Sequence, residues 1–496
     1  MKQSNVESKS TNSPKNILYI FTDDQSVRTV SCYPEAHSWV QTPNMDRLAK
    51  EGVRFTTCYT GAWCAPSRAT ALTGRLQHSI HSMRLPYGYP SYTYDSEELQ
   101  FWPSVFRREG WYTGIVGKWH TGSDQGHGRD WDYSAVWNYS QKGIYGGYYT
   151  NQKMSINGEE PVLVGGYSTD NYTRYALDFI QDRAAEPDRP WYLWLCYDAP
   201  HDPWTVADRH SGDYSDVPQE PVPSDIYPPR PTKAAHMRVF GVWREAVNGQ
   251  PVGIDDGRTL TDWLQQYNRA IRSVDEGVGK IMEALESTGQ LDNTLIVFTS
   301  DQGLAWGQHG FRNKFAPYDA NLLAPLIIRF PGMIEAGTVC ETPVGGQDIA
   351  PTFFSMAGLS LPWKMHGRDL TPLLHNPEEG WDRPLLLVNT NRSFGRDTDS
   401  AIGESNNAIP WWVSLRKGNY KYIRWLVPGE IEELYDLEND PDELMNLGLT
   451  SDWHGLLAQF RQETIDELRR TDAGMADHLP PVLIMTKEQL LGGQSI

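Results

Sequence analysis

Cysteine at position 64 opens the run Cys64-Ala65-Pro66-Ser67-Arg68, and Leu72-Thr73-Gly74-Arg75 follows at short spacing. A cysteine is a strong nucleophile once it is activated by a base, a neighbouring cation or a metal. The bland alternative is a structural cysteine buried before a helix N-terminus. The chain has five cysteines, Cys32, Cys58, Cys64, Cys196 and Cys340. Their odd number, wide scatter and lack of CxxC spacing point to neither a disulfide framework nor a zinc site.

Two further pairs could hold a metal. Asp23-Asp24 follows the apolar run Asn16 to Phe21, and Asp301-Gln302 follows Leu295 to Phe298. Three carboxylates and an amide oxygen form a hard, all-oxygen set suited to Ca²⁺, with Mg²⁺ as the second choice. Positive and proton-transferring groups recur after other short strands. Lys118 and His120 follow Thr113 to Val116, and His201 follows Trp191 to Tyr197. Lys314 ends the stretch Gly307-Gln308-His309-Gly310-Phe311-Arg312-Asn313-Lys314. Ammonium groups beside a cation suit an anionic substrate, and imidazoles are the usual general acids and bases. Trp306, His309 and Arg312 are candidates for lining the substrate pocket.

These residues need a scaffold that gathers strand ends. Thr42-Pro43 opens a helix with a hydroxyl cap, Met45, Leu48 and Ala49 form its apolar stripe, and Gly52 stops it. Trp263 to Leu285 reads as a long amphipathic helix capped at Gly289. Helices alternating with short, wholly apolar strands predict an α/β fold with a mainly parallel, two-sided sheet. In such sheets the binding crevice lies outside the carboxyl ends of the strands, where both acidic pairs fall. Residues 121–165, rich in Gly, Tyr and Trp, and the Pro-rich 202–260 interrupt the pattern and read as functional loops or small excursions. We expect a disordered lead over 1–15, a catalytic α/β domain over 16–380 and a smaller α+β unit over 381–496. That last unit would hold a small antiparallel sheet and a helix from about Trp453 to Arg470.

Composition narrows the function. With 44 basic against 63 acidic residues, the net charge of −19 offers no footprint for nucleic acid or anionic lipid. No apolar stretch is long enough to span a membrane. The N-terminal segment has a lysine but no apolar run behind it, so no secretory signal is predicted. That leaves a cytoplasmic chain, or an exported one whose signal was trimmed. Oligomeric state leaves no mark in the sequence.

The cysteine motif resembles the signature of the type I, formylglycine-dependent sulfatases of the alkaline-phosphatase-like superfamily. The resemblance extends to Thr42-Pro43-Asn44-Met45-Asp46, Gln347 to Thr352, His366 to Leu370 and Glu433 to Leu437. It implies an alkaline-phosphatase-like α/β sandwich with a small C-terminal α+β domain, and a sulfuric ester hydrolase. It also implies that a maturation enzyme oxidises Cys64 to formylglycine, whose hydrate attacks sulfur with one hydroxyl and expels sulfate through the other. Asp23, Asp24, Asp301 and Gln302 would then hold calcium beside residue 64, although the family usually has Asn or His where this chain has Gln302. Lys118 and Lys314 would hold the sulfate, and Arg68 would steady the formylglycine. His120 would take a proton and His201 would protonate the leaving oxygen. The substrate expected is a sulfated sugar or polysaccharide, with Trp131, Trp137, Tyr139, Tyr145, Tyr148 and Tyr149 available to stack on pyranose faces. The alternatives are a phosphonate or phosphate diester hydrolase of the same superfamily and a carbohydrate-binding protein that has lost catalysis.

Overall fold

The computed structural model of the chain describes residues 14–84, 93–95, 97–246, 249–400 and 409–492. Most of the predicted disordered lead lies outside the described residues. Lys15 is in place, its N–H donating to Asn293 O at 3.0 Å.

A ten-stranded sheet forms the centre. Its strands in chain order are β1 (Asn16–Thr22), β2 (Val53–Phe55), β3 (Tyr112–Trp119), β4 (Tyr133–Asn138) and β5 (Gln152–Ile156). There follow β6 (Val162–Val164), β7 (Trp191–Cys196), β8 (Thr294–Ser300), β9 (Leu326–Arg329) and β10 (Thr338–Cys340). Across the sheet they run β10-β2-β9-β8-β1-β7-β3-β4-β5-β6. The central run from β8 to β4 is parallel throughout. Antiparallel pairings join β9 and β5 to either side of it, so the sheet is mixed with a parallel heart, as expected.

Both faces of that heart are covered, which is why its strands are apolar at nearly every position. Ile17, Tyr19 and Phe21 of β1 face one core with Leu72, Trp102, Phe106, Phe353 and Phe354. Leu18 and Ile20 face the other, with Met45, Tyr172, Phe179, Ile271, Val274 and Val278. The first face is covered in part by α2 (Cys64–Thr73) and α5 (Ile349–Met356). The second is covered by α1 (Pro43–Glu51), α3 (Ser168–Ala184) and α4 (Leu260–Ser287). Helix α4 starts at a capping box between Thr259 and Asp262. It ends in a Schellman turn: Gly289 adopts φ +69°, and the Gln290 N–H donates to Leu285 O at 2.8 Å.

Two expectations are corrected. Thr42 precedes α1, but its hydroxyl does not cap it; Oγ1 accepts from the Ser31 N–H at 2.8 Å. Asp275 of α4 takes the capping role, accepting from the Asn44 and Met45 amides at 3.0 and 2.9 Å. Residues 121–165 supply β4, β5 and β6 at one side of the sheet. Their rings are consumed by the core: Trp131 and Trp137 are 0% exposed, and Tyr145 and Tyr149 are buried. None of these four offers a face to a sugar.

The C-terminal region forms a second, four-stranded antiparallel sheet from β11 (Leu385–Asn389), β12 (Trp412–Lys417), β13 (Tyr420–Trp425) and β14 (Glu432–Asp436). Helix α6 (His454–Arg470) covers one face through Leu457, Phe460 and Leu468. The other face packs Trp412, Ile423 and Tyr435 into the same cluster as Cys64, Ala65 and Ala69. Trp412 Nε1 and Asn389 Nδ2 both donate to Phe315 O, at 2.7 and 3.1 Å, so the small sheet braces the segment that carries Lys314.

Candidate active site

Strand register assembles the site. Thr22 of β1 lies opposite Ser300 of β8, which brings Asp23-Asp24 beside Asp301-Gln302. Phe21 lies opposite Cys196 of β7, and Cys196 opposite Gly117 of β3, so Lys118, His120 and His201 emerge at the same edge. Gly117 is required there. It adopts φ +103°, and an added Cβ would sit 1.9 Å from Cys196 O.

Cys64 is the first residue of α2, whose opening amides have no helical partners and whose dipole favours negative charge there. Pro66 falls in the first turn, where a missing N–H removes no helical bond. Gly74 closes the helix at φ +68°, which accounts for the glycine of the second motif. The Cys64 thiol is buried, and Lys314 Nζ lies 3.5 Å from Sγ. Burial pushes the thiol up to about 11 against the opposing pull of Lys118 and Lys314.

Around it the charges interlock. Lys314 Nζ donates to both Asp24 carboxylate oxygens, at 2.7 and 2.9 Å. Lys118 Nζ donates to Asp23 Oδ2 and, at 2.8 Å, to the Tyr148 hydroxyl. Tyr148 in turn donates to Asp23 Oδ2 at 2.6 Å and stacks on the His201 ring at 4.8 Å. Arg68, fully buried, reaches Asp301 Oδ2 at 3.2 Å and the Lys118 carbonyl at 3.1 Å. The Asp24 N–H donates to Asp301 Oδ1 at 2.8 Å, and Asp24 itself is held at φ +66°, a strained conformation typical of functional sites.

Carboxylate oxygens of Asp23, Asp24 and Asp301 lie within 4.8 Å of one another, and the ligand atoms of Asp23, Cys64 and His201 form a second such group. Two buried oxygens, Asp23 Oδ1 and Gln302 Oε1, have no hydrogen-bond partner, while Gln302 Nε2 donates to Asp24 Oδ1. Hard oxygen donors left unsatisfied beside clustered carboxylates fit a divalent cation. Burial and the adjacent Asp23 carboxylate raise Asp301 well above the usual range. Burial also opposes ionisation of Asp23, but Lys118, His201 and Arg68 outweigh it and hold Asp23 well below that range.

Both histidines rest neutral. Burial, then the Lys118 and Arg68 charges, take His120 well below its usual value. Burial and Lys314 lower His201 to about 4. The His201 Nδ1 lies 2.7 Å from Asp202 O, and its Nε2 lies 3.5 Å from Asp24 Oδ2.

A cavity of about 780 Å³ opens above this cluster, lined among others by Asp24, Cys64, His120, His201, Arg312 and Lys314. Three substrate-contact candidates are not in its lining: Lys118, wholly buried against Asp23 beneath it, and Trp306 and His309. Trp306 is buried behind it, packed on Trp204 at 5.3 Å and Tyr267 at 5.1 Å. His309 is turned away to Asp225, with Nδ1 2.6 Å from Oδ2 and its ring 4.1 Å from that of Tyr318. Other lining residues carried no mark in the sequence: Trp63, Lys142, Trp204, Asp256, Trp263 and Arg392. Only Trp63, beside Cys64, could have been found from its neighbour. Of the aromatic candidates, Tyr139 does line the cavity, whereas Tyr148 is bound into the charged cluster.

Comparison with known proteins gives the family and the fold. The family described as Sulfatase matches residues 15–359, and the region described as N-sulphoglucosamine sulphohydrolase, C-terminal, matches residues 307–471. The N-acetylglucosamine-6-O-sulfatase of Bacteroides thetaiotaomicron is 28% identical over 96% of this chain and 89% of its own. A solved structure of a protein in complex with its substrate D-glucosamine-2-N,6-O-disulfate superimposes with a TM-score of 0.76 at 25% identity. That match covers 93% of this chain and 98% of the other. The phosphonate monoester hydrolase of Agrobacterium radiobacter shares the fold, with a TM-score of 0.66 at 22% identity over 92% of this chain and 96% of its own. With a family match across most of its length, and Cys64, Asp24 and Lys314 meeting at one pocket, the chain belongs to the sulfatase family and is a sulfuric ester hydrolase.

Proposed function

We propose that the protein removes sulfate from a saccharide, using a nucleophile made from Cys64 beside a calcium ion held by Asp23, Asp24, Asp301 and Gln302. One observation carries this reading: Cys64 Sγ opens into the cavity 3.5 Å from Lys314 Nζ, while Lys314 also grips Asp24 of the acidic cluster. The saccharide assignment draws on the relatives, one acting on N-acetylglucosamine-6-O-sulfate by its name and one bound to a glucosamine disulfate.

An unmodified thiol pushed up to about 11 stays protonated at neutral pH, so it is a poor nucleophile where it stands. Conversion to formylglycine by a maturation enzyme would leave an aldehyde, and addition of water to it gives two hydroxyls on one carbon, one to attack sulfur and one to lose its proton as sulfate leaves. When bound, the divalent cation supplies positive charge against the reacting oxygens. The lysines do the complementary work from the protein side. Lys118 and Lys314 offer point charges to the sulfate oxygens, whose negative charge grows as the ester bond breaks. Arg68 anchors Asp301 and the Lys118 backbone beneath them. His120, buried and neutral, is ready to accept a proton. His201 delivers one to the departing oxygen. Burial, then the Lys314 charge, keep its ring neutral in the resting site, and the negative charge of an arriving sulfate offsets the second of these.

The test is sulfate release from a panel of defined sulfated saccharides, run beside an aryl sulfate and a phosphonate ester of the same phenol. We expect sulfate esters to be cleaved with a higher kcat/KM than the phosphonate, and at least one saccharide to be a substrate. Preference for the phosphonate would move the protein to the other hydrolytic reading that its fold neighbours allow. Binding of sulfated sugars without release would mark a lapsed enzyme.

A further inference from the structure

One wall of the cavity is built from a charged pair that the sulfate chemistry does not use. Arg312 Nη1 donates to Asp256 Oδ2 at 2.8 Å, and its guanidinium lies 4.7 Å from the centre of the Trp263 ring. Asp256 Oδ1 accepts from the Arg258 N–H at 2.9 Å, and the Arg258 guanidinium lies 3.9 Å from the same tryptophan ring. Gly253 leaves room for the pair, since a Cβ there would come within 2.8 Å of both Arg312 Nη1 and Asp256 Oδ1. Asp256, Trp263 and Arg312 all line the cavity that holds Cys64 and Lys314. Both partners of the pair are thus fixed and still partly exposed, Arg312 at 15% and Asp256 at 30% of the side chain.

We infer that Arg312 and Asp256 recognise adjacent hydroxyl groups on the sugar ring that carries the sulfate, an assignment that rests on the saccharide reading above. The pairing cancels most of the local charge, so what the wall offers is hydrogen-bond geometry. Guanidinium donors stand beside carboxylate lone pairs. A hydroxyl both donates and accepts, so two neighbouring hydroxyls satisfy both halves of the pair. A second sulfate or a carboxylate in the same position would face Asp256 and be repelled. Arg312 and Asp256 line the same cavity as Cys64 and Lys314. A ring whose sulfate meets Lys314 therefore has its hydroxyls within the cavity that the pair walls.

The experiment compares kcat/KM for a monosulfated sugar and for an aryl sulfate, in the wild type, Arg312→Ala, Arg312→Lys and Asp256→Asn. The ratio of sugar to aryl values should fall about 10–100-fold in each variant, the range expected when a polar site loses its hydroxyl partners. Arg312→Lys is included because it keeps the charge and loses only the planar fork. Equal loss on both substrates would overturn the inference, because it would place the pair in sulfate handling or in folding. So would a wild-type preference for a sugar with a second anionic group in place of the hydroxyls. If the wild type cleaves sugars and the ratio is unmoved, this inference alone fails. If it cleaves the aryl sulfate and no sugar, the saccharide reading fails and takes the inference with it.

Discussion

Replacing Cys64 with alanine should lower kcat for sulfate release by a factor on the order of 10⁴ or more, the scale on which deleting a covalent nucleophile acts. The fold should survive. The change removes one sulfur atom at the first position of α2, where alanine is the most helix-compatible residue. The loss in stability should stay near 1 kcal/mol, read by urea denaturation. The substrate should still bind, because Lys118, Lys314 and the cavity walls are untouched. A large fall in kcat with a modest change in KM is the expected pattern. Wild-type turnover in this variant would remove position 64 from the chemistry.

Loss of Asp301 should act through two channels that can be separated. Asp301 accepts from the Asp24 N–H at 2.8 Å and from Arg68 Nη2 at 3.2 Å. Asp301→Ala therefore strands a buried guanidinium as well as removing a proposed metal ligand, and should destabilise the protein by about 3–5 kcal/mol. Asp301→Asn keeps an oxygen for the Asp24 amide but turns an NH2 toward Arg68 Nη2, so it loses the charge and that one hydrogen bond. Its metal affinity, measured by titration calorimetry, should fall by about 100-fold and turnover should fall with it. Unchanged calcium affinity in both variants would remove Asp301 from the cation site.

Much of this site was legible because parallel sheets obey a simple rule. Asp23, Asp24, Asp301, Lys118, His120 and His201 each follow a short apolar run, and adjacent strands in register deliver such residues to one edge. Cys64 and Lys314 are not on those strand ends. The cysteine motif marked Cys64 and the family resemblance marked Lys314, and the fold places Lys314 against both Asp24 and Cys64. What failed to read were side chains whose surroundings come from distant sequence. Trp131 and Trp137 look like sugar platforms by composition, yet they lie in and beside β4, where the core claims them. Trp306 and His309 share a stretch with Lys314, but one packs behind Trp204 and the other turns to Asp225. Tyr148 has no motif at all, and its place between Asp23 and Lys118 depends on how β5 folds back on β4. Trp204 and Asp256 come from the Pro-rich 202–260 segment, whose lack of period hides its path over the pocket.

The most direct measurement is the mass of the proteolytic peptide containing Cys64, taken from a preparation whose sulfate release has just been assayed. The account predicts a peptide whose thiol has become an aldehyde, in a proportion that tracks specific activity across preparations. Full activity with the thiol intact at position 64 would contradict it.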